Sequence, residues 1–309
     1  MTRAATEVAV LYGGISAERE VSLASGAQVI AALRAAGYRV RPIDAGPDLG
    51  AIVAALSPPP DVVFNALHGR FGEDGAIQGV LDWMGIAYTH SGVRASALAM
   101  DKDAAKAVFM AADLPVARGR TLSLADLAGG HPLALPYVLK PLNEGSSVGV
   151  SIMRAGGPSL AQVLRQWRWG PRAMVEEFIP GRELTVGVLA DRALAVTEIV
   201  ATAGFYDYDA KYRAGGSTHI VPAPIPPEVG ARAMAIAVAA QHALGCRGAT
   251  RADFRYDDTA GGPGRLVLLE VNTQPGMTAT SLLPEQAAMV GMSFELLCGW
   301  MVEHASCRD

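Results

Sequence analysis

Strand and helix patterns alternate through the first third of the chain, and this alternation constrains the fold more than any other feature. Apolar strand patterns lie at Glu7–Tyr12, Tyr38–Ile43 and Asp61–Leu67, and the helical patterns between and after them include Leu49–Leu56 and Gly75–Met84. Parallel strands joined by helices form a doubly wound sheet, which binds ligands in the crevice at the carboxyl ends of its strands. The sequence therefore predicts an α/β fold with a ligand site at that edge.

Two polar residues stand just past predicted strand ends. Glu18 follows the first strand and the Gly13-Gly14 pair, and His68 follows the third strand. Each has an ordinary alternative, since Glu18 could be a first-turn acid favoured by the helix dipole and a single strand-end His is more often structural than catalytic. The glycine pair lacks the complete dinucleotide fingerprint and the sequence has no Walker A motif, which excludes the usual P-loop.

The composition excludes several kinds of partner. The chain has 309 residues, of which 50% are hydrophobic, as expected for a soluble α/β enzyme of two or three domains. Its net charge is −4 and it has no run of Lys or Arg, so neither nucleic acid nor an anionic membrane surface is an expected partner. The apolar stretches are short and the N-terminus has no secretory pattern, which predicts a cytoplasmic protein.

The cysteines support the same location. Cys246, Cys298 and Cys307 are odd in number and widely spaced, which argues against a disulfide framework or a zinc site and for a reducing compartment. We expect Cys246 and Cys298 to be small apolar residues of the core.

A hairpin is predicted near the C-terminus. Ala249–Asp258 and Arg265–Val271 have strand patterns, and the Gly- and Pro-rich segment Thr259–Gly264 between them has the composition of a turn.

Polar residues on this hairpin suggest a metal site. Because side chains alternate along a strand, Arg251 and Asp253 share one face, as do Glu270 and Asn272. If the hairpin brings these faces together, carboxylate and amide oxygens converge beside a guanidinium, in a set that suits Mg²⁺ and the phosphates of a nucleotide triphosphate. The spacing alone is equally compatible with two acids and an Asn on a solvated face.

The middle of the chain contains a candidate phosphate loop. Residues 143–150 are mostly small and lead into a strand, so their backbone N–H groups and Ser hydroxyls could approach phosphate oxygens. Lys140 precedes the loop and Lys102 lies one element upstream, and both could contact phosphates as point charges. The alternative is an ordinary hairpin turn.

A further strand pattern suggests an adenosine site. Ala173–Ile179 ends at Pro180-Gly181, before another predicted strand. A free strand edge at this crossing could hydrogen-bond an adenine, and the carboxylates of Glu176 and Glu183 could accept bonds from its amino group and from ribose hydroxyls.

Together these segments resemble the ATP-grasp superfamily and, within it, the D-alanine–D-alanine ligases. The resemblance covers nearly the whole chain, and many motifs occur in one order. They are GGISAEREVS (13–22), LHGRFGEDG (67–75), MDK (100–102), LKP (139–141), GSSVG (145–149), FYDYDAKY (205–212), RAD (251–253), EVNTQPGMT (270–278) and SL (281–282).

The resemblance implies an ATP-grasp fold with an N-terminal doubly wound, Rossmann-like domain. Residues 1–97 would form that domain and bind the first D-alanine, residues 98–181 the small ATP-grasp domain with the Gly/Ser phosphate loop, and residues 182–309 the C-terminal domain with the metal site, oxyanion site and mobile loop. The implied reaction joins two D-alanines through a D-alanyl phosphate, with release of ADP and phosphate, for bacterial peptidoglycan precursors. The resemblance also implies a homodimer.

The resemblance assigns nucleotide and metal roles residue by residue. Two Mg²⁺ ions, with Mn²⁺ as an alternative, would bind Asp253, Glu270 and Asn272. The residues expected at the phosphates are Lys102, Lys140, Ser146, Ser147, Lys211 and Asn272. The residues expected around adenosine, partly through their backbone, are Glu176, Glu177, Phe178, Ile179 and Glu183.

The resemblance also assigns the amino-acid sites. Glu18 would bind the ammonium of the first D-alanine, with His68 near its carboxylate. Arg251 and the Gly276 N–H would stabilise the tetrahedral oxyanion. The second D-alanine carboxylate would bind Ser281 and Leu282. The set that positions and deprotonates the second amine comprises Ser147, Tyr212 and Glu18.

Three departures from the family pattern stand out. Gln274 replaces a small hydroxyl residue within the metal-site motif. Phe178 differs from the usual residue beside the adenine but keeps an apolar face. The loop from about Ala201 to Pro222 is rich in Gly and Tyr and is predicted to be a closing lid. Within it, the segment Arg213–Ile220 is unlike the family versions.

Two other functions fit part of this pattern. A related carboxylate–amine ligase could use D-lactate or D-serine as its second substrate. By the resemblance, however, a Tyr at position 212 goes with an amine rather than a hydroxy acid as the second substrate. A non-catalytic nucleotide-binding module would be expected to lack Arg251 or a metal carboxylate, and none of these is missing.

Overall fold

The computed structural model describes residues 2–145, 147–201 and 216–307, and the strands within them form three sheets. The first sheet is parallel and has the spatial order β2-β1-β3-β4, with β1 (Glu7–Gly13), β2 (Arg39–Ala45), β3 (Val62–Asn65) and β4 (Ala87–Tyr88). The accompanying helices are α1 (Arg19–Ala35), α2 (Leu49–Ala55), α3 (Ala76–Met84) and α4 (Val93–Met100). The predicted alternation of strand and helix is confirmed.

The third strand is shorter than predicted, for a local reason. It ends at Asn65, whose side-chain Oδ1 accepts a hydrogen bond from the backbone N–H of Leu67 at 3.2 Å. An Asn that bonds its own backbone two residues on favours a turn over a continued strand. His68 therefore lies in a loop at the carboxyl edge of the sheet, where ligands are expected.

The second sheet is antiparallel and has the order β5-β8-β6-β7. Its strands are β5 (Gly119–Ser123), β6 (Tyr137–Lys140), β7 (Ser151–Met153) and β8 (Arg172–Glu177). Two short helices, α6 (Leu124–Ala128) and α7 (Leu160–Gln166), contribute Leu127 and Leu160 to a small core with Leu139. The described residues of the predicted phosphate loop, 143–145 and 147–150, precede β7.

The third sheet is antiparallel and has the order β11-β10-β9-β12-β13. Its strands are β9 (Arg182–Leu189), β10 (Arg192–Ala201), β11 (Ser217–Ile220), β12 (Ala249–Asp257) and β13 (Arg265–Asn272). The helices α5 (Lys102–Ala111) and α8 (Pro227–Leu244) pack on it, with Phe109 and Ala233 buried against Val186 and Phe254. The predicted hairpin is the pair β12–β13.

The chain returns to the first sheet after β13. The helices α9 (Leu282–Met289) and α10 (Phe294–Glu303) follow, and Leu297 and Met301 share a core with Val8 and Val29. The loop from β13 to α9 is thereby held between the first and third sheets. The predicted domain boundaries at residues 97 and 181 stay a prediction.

The cysteines are free, as expected. Cys298 is fully buried in the core between the first sheet and α10, and Cys246 packs partly buried against the core of the third sheet. No helix in the part of the chain that the structure describes has the length and hydrophobicity required to cross a membrane.

Candidate active site

The β12–β13 hairpin places the four polar residues of the predicted metal site on one face. Arg251 lies opposite Asn272, and Asp253 lies opposite Glu270. Directly opposed residues of an antiparallel pair project to the same side of the sheet. Asp253 is only 9% exposed, whereas the side chain of Glu270 is 31% exposed, so the face is partly buried.

Arg251 and Asp253 form a bidentate ion pair. Arg251 Nε donates to Asp253 Oδ1 at 2.8 Å and its terminal nitrogen donates to Oδ2 at 2.7 Å. Thr185 on the neighbouring strand β9 also donates its hydroxyl to Oδ1, at 2.6 Å. A two-point contact fixes the plane of the guanidinium as well as its distance, so Asp253 holds Arg251 in a defined orientation.

Lys102 neutralises the second carboxylate of the hairpin. Helix α5 begins at Lys102 because the Asp101 side chain accepts bonds from the N–H groups of Asp103 and Ala104. Lys102 Nζ lies 3.1 Å from Glu270 Oε2 and donates to the carbonyl oxygen of Glu144 at 2.7 Å. The lysine thus lies between the hairpin and the phosphate loop.

The hairpin carries oxygen atoms of the chemical type that suits a divalent cation. Two carboxylates and an amide oxygen are hard ligands of the kind that Mg²⁺ prefers. Both carboxylates face a cationic side chain, Asp253 facing Arg251 and Glu270 facing Lys102, so this face already stabilises positive charge. Within residues 2–145, 147–201 and 216–307, no cluster of three or more His, Cys, Asp or Glu has the geometry to hold a metal ion. The predicted site has two carboxylates and the amide of Asn272, and its role stays a prediction.

Glu18 occupies the N-cap position of α1 but makes no capping hydrogen bond with its side chain. Its carboxylate instead lies against two glycines. A Cβ at Gly69, where φ is +67°, would lie 2.7 Å from Glu18 Oε2, and a Cβ at Gly145 would lie 3.9 Å from each oxygen. The positive φ favours glycine at position 69, and the missing Cβ leaves room for the carboxylate. The carboxylate therefore lies between the His68 loop and the phosphate loop.

His68 is held through both ring nitrogens. Nδ1 lies 3.1 Å from Glu73 Oε1 and Nε2 lies 3.2 Å from Ser25 Oγ, and all three residues are largely buried. Burial raises the pKa of the Glu73 carboxyl above its ordinary value, although the hydrogen bond from His68 opposes the shift. His68 is thus both a satisfied buried histidine and a residue of the cavity described below.

The turn after β13 supplies the remaining predicted groups. Ser281 Oγ lies 2.7 Å from Thr278 Oγ1 and accepts from the Thr278 N–H at 3.1 Å. A Cβ on Gly276 would lie 3.0 Å from the same hydroxyl. Leu282, which is buried, begins α9. Gly276 and Ser281 are therefore adjacent although five positions separate them in the chain.

These segments enclose one cavity of about 500 Å³. Glu18 and His68 line it from the first sheet, and Arg251, Glu270 and Asn272 line it from the hairpin. The turn contributes Gly276, Ser281 and Leu282, and α5 contributes Lys102. Asp253, which is bonded to Arg251, is not part of the lining. The structure thus brings together most of the predicted amino-acid and metal residues.

A buried ion triplet occupies the predicted nucleotide region. Glu176, which is 6% exposed, accepts from Lys106 Nζ and from Lys140 Nζ, each at 2.6 Å. Burial alone would raise the pKa of this carboxyl, but the two ammonium groups outweigh it and hold the pKa below its ordinary value. Glu176 therefore fixes two lysines, and its predicted contact with the adenine stays a prediction.

Glu177 points to the opposite face of β8. It accepts a hydrogen bond from the backbone N–H of Arg118 at 2.7 Å and contacts Arg265 at 2.5 Å. The bond from Arg265 is the main reason why its pKa falls to about 2. Its side chain therefore joins β8 to the start of β13, and only its backbone remains a candidate for the adenosine contact.

The Glu177–Arg265 pair predicts acid-dependent stability. Because the pKa is lowered on folding, the pair stabilises the protein above the ordinary value of 4.5, and this contribution is lost as the pH falls toward 2. Urea unfolding should show wild type more stable than Arg265→Met near neutral pH, with the difference shrinking between these pH values. A difference that is constant across this range would contradict the assignment.

The link between the second and third sheets contains Phe178 and Ile179. The Ile179 carbonyl oxygen accepts from Arg255 Nε at 3.1 Å, and Ile179 itself is buried. Arg255 also lies 3.5 Å from Glu183 Oε2. Arg255 therefore fixes this crossing, which connects β8 to β9. The adenosine contacts of Phe178, Ile179 and Glu183 stay predictions.

Three predicted site residues, Ser146, Lys211 and Tyr212, lie outside the described residues, together with most of the predicted lid. Ser147 is described, and its φ of +58° is uncommon for a residue with a side chain. Its predicted contacts with phosphate and with the second amine stay predictions.

The sequence interpretation missed Lys106 and assigned no role to Glu73. Lys106 follows Lys102 by four positions, which places both on the same face of α5. That spacing was a signal for Lys106. Glu73 lies within the motif LHGRFGEDG (67–75). Its contact with His68 depends on the conformation of the loop between them, which the motif does not specify.

Comparisons with known proteins cover nearly the whole chain and indicate one family. A family model for the C-terminal part of D-Ala-D-Ala ligases matches residues 114–303, and one for the N-terminal part matches residues 47–91. A D-alanine–D-alanine ligase of Acidiphilium cryptum is 69% identical over 301 residues, covering 97% of this chain and 99% of the relative. One of Granulibacter bethesdensis is 66% identical over 301 residues, covering 97% and 98%.

Solved structures lead to the same conclusion. A crystal structure of the Bacillus anthracis D-alanine–D-alanine ligase complexed with ATP superposes with a TM-score of 0.81 at 30% identity, covering 97% of this chain and 96% of that one. The predicted ATP-grasp fold is thereby confirmed. From its sequence identity over nearly the full length and from its fold, this chain belongs to the D-alanine–D-alanine ligase family.

Proposed function

We propose that the chain joins two molecules of D-alanine in a reaction that consumes ATP. The observation that carries this proposal is the cavity in which Glu18 and His68 face Arg251 and the turn at Gly276. An anion, a histidine and a guanidinium on opposing walls suit a zwitterionic amino acid. The names of the relatives and the ATP-bound neighbour support the same substrates.

The first step activates a carboxylate. The terminal phosphoryl group passes from ATP to a carboxylate oxygen of the first D-alanine, giving D-alanyl phosphate and ADP. Glu18 would hold the ammonium of that D-alanine, and His68 would lie near its carboxylate. Holding reactants in the correct geometry can supply about 7–11 kcal/mol of the barrier. The double anchoring of His68 by Glu73 and Ser25 provides such a fixed wall.

Asp253, Glu270 and Asn272 would hold Mg²⁺, which when bound neutralises charge on the phosphates. Lys102 would then leave Glu270 and contact a phosphate, and it lies beside the phosphate loop, where its Nζ bonds Glu144. Lys140, fixed by Glu176, would contact another phosphate.

The second step forms the peptide bond. The nitrogen of the second D-alanine attacks the acyl carbon, the bond to the phosphate oxygen breaks, and the amine loses a proton. Ser281 and Leu282 would bind the carboxylate of this D-alanine, and Ser147, Tyr212 and Glu18 would position the amine for deprotonation. Arg251 and the Gly276 N–H would stabilise the oxyanion, where a preorganised donor acts most strongly.

The proposal is tested by phosphate release from Mg·ATP with identification of the product by mass. D-alanine should stimulate release and yield D-alanyl-D-alanine, whereas L-alanine should not. Adding D-lactate beside D-alanine tests the second substrate, and a D-alanyl-D-lactate product would reassign it. Absence of release with D-alanine, in a protein that binds ATP, would contradict the proposed reaction. A homodimer, a cytoplasmic location and a role in peptidoglycan synthesis are further parts of the proposal.

A further inference from the structure

Gln274 links two loops of the candidate active site through its side chain. It is 1% exposed and lies in the turn after β13, two positions from Asn272 and two from Gly276. Its Oε1 accepts from Asn65 Nδ2 at 2.8 Å, and its Nε2 donates to the carbonyl oxygen of Leu67. Asn65 is the last residue of β3 in the first sheet, and Leu67 lies in the loop that follows it.

The loop that receives these bonds carries His68. Asn65, which ends β3, also donates through Nδ2 to the Gly72 carbonyl oxygen at 3.0 Å and accepts from the Leu67 N–H. The bonds therefore act on both sides of His68, at Leu67 and at Gly72. Gln274 thus connects this hydrogen-bonded loop to the turn that follows β13 of the third sheet.

Within the turn after β13, Gln274 contacts the predicted metal site through its backbone. Its N–H donates to Asn272 Oδ1 at 2.8 Å, which orients the Asn272 amide. One buried residue is thus bonded to the loop of His68 and to the side chain of Asn272.

We infer that Gln274 is a positioning residue that sets the His68 loop relative to the Asn272–Gly276 turn. This inference rests on the proposed function, because its consequence is the placement of the first D-alanine against the phosphoryl donor and the oxyanion groups. A primary amide donates and accepts at once, as these two bonds require. A hydroxyl side chain is shorter and has a single polar atom, so it could not replace both bonds.

The primary test is Gln274→Met, which preserves the length of the side chain and removes both bonds. A displacement of about 1 Å at a reacting centre can cost about 100-fold. We expect kcat/KM for the first D-alanine to fall by about that factor, with KM for ATP unchanged within about twofold. Such a split would not follow from a general loss of stability.

Gln241→Met is the matched control. Gln241 is also 1% exposed, donates through Nε2 to a carbonyl oxygen, that of Ala190, and accepts through Oε1 from the Thr250 hydroxyl. It lies on α8, outside the cavity lining. The control should lose thermal stability as Gln274→Met does, and retain wild-type kinetic constants.

Hydrogen exchange gives a readout that does not depend on activity. The Leu67 amide should exchange faster in Gln274→Met than in wild type or in the control. The Leu67 N–H donates to the side chain of Asn65, which Gln274 would no longer hold in place. If Gln274→Met does not fold, Gln274→Asn, which keeps the amide but not its reach, should show the same kinetic and exchange changes.

The outcomes separate the two proposals. Wild-type kinetics or wild-type exchange at Leu67 in the Gln274 variant would overturn the positioning role. If wild type itself releases no phosphate with D-alanine, the proposed function fails, while faster exchange in the Gln274 variant would still support the link between the two loops.

Discussion

Replacing Arg251 with methionine is expected to lower turnover with D-alanine by about 10²–10³-fold, because it removes a preorganised donor to the oxyanion. Arg251 lines the cavity and is held by Asp253 through two hydrogen bonds of 2.7 and 2.8 Å. Steady-state phosphate release measures this effect. Turnover equal to wild type would remove Arg251 from the reaction.

The same substitution should also destabilise the protein. Asp253 is 9% exposed, and removing the cation of a buried pair typically costs about 3–5 kcal/mol. Arg182→Met is a matched control, since Arg182 forms a two-point pair with Glu198 in the same sheet, at 2.5 and 2.7 Å. It should lose comparable stability and keep its turnover. If both variants lose turnover equally, the effect of Arg251 is structural.

Replacing Glu176 with glutamine is expected to lower the free energy of unfolding by about 3–5 kcal/mol, because Lys106 and Lys140 would lose their common counter-ion. Both lysine side chains are about nine-tenths buried. Because the pKa of Glu176 is lowered on folding, its contribution is present at neutral pH and lost as the pH falls below the ordinary value. Chemical unfolding measures this loss.

Nucleotide binding should weaken in the same variant. We expect KM for ATP to rise about tenfold, since a charged hydrogen-bond partner contributes about 1.5–3 kcal/mol. Glu177→Gln is the neighbouring control, because that side chain contacts Arg265 and Arg118 on the other face of β8. An unchanged KM for ATP in Glu176→Gln would separate the ion triplet from nucleotide binding.

Local sequence patterns predicted the elements of this protein well. The parallel sheet and the β12–β13 hairpin agree with the apolar periodicity and with the Gly- and Pro-rich turn. Ends of elements were less certain, as at Asn65, where a side chain bonded to its own backbone ended the strand early.

The candidate site was predicted in part. The alternation rule placed Arg251 with Asp253, and Glu270 with Asn272, before the register was known. It did not predict that Arg251 would bind Asp253 or that Lys102 would bind Glu270, because these contacts depend on distances between side chains. Likewise, only the structure showed that the Glu18 carboxylate lies against Gly69 and Gly145 and lines the cavity.

The sequence by itself determined the class of fold, the family and the identity of most candidate residues, because periodicity and ordered motifs are local properties of the chain. Only the tertiary structure decided which charges neutralise each other, as at Glu176, and which loops are joined, as by Gln274 and Asn65. Asn65 and Gln274 are separated by 209 positions. Contacts over such separations arise when the sheets pack, and no local pattern specifies them.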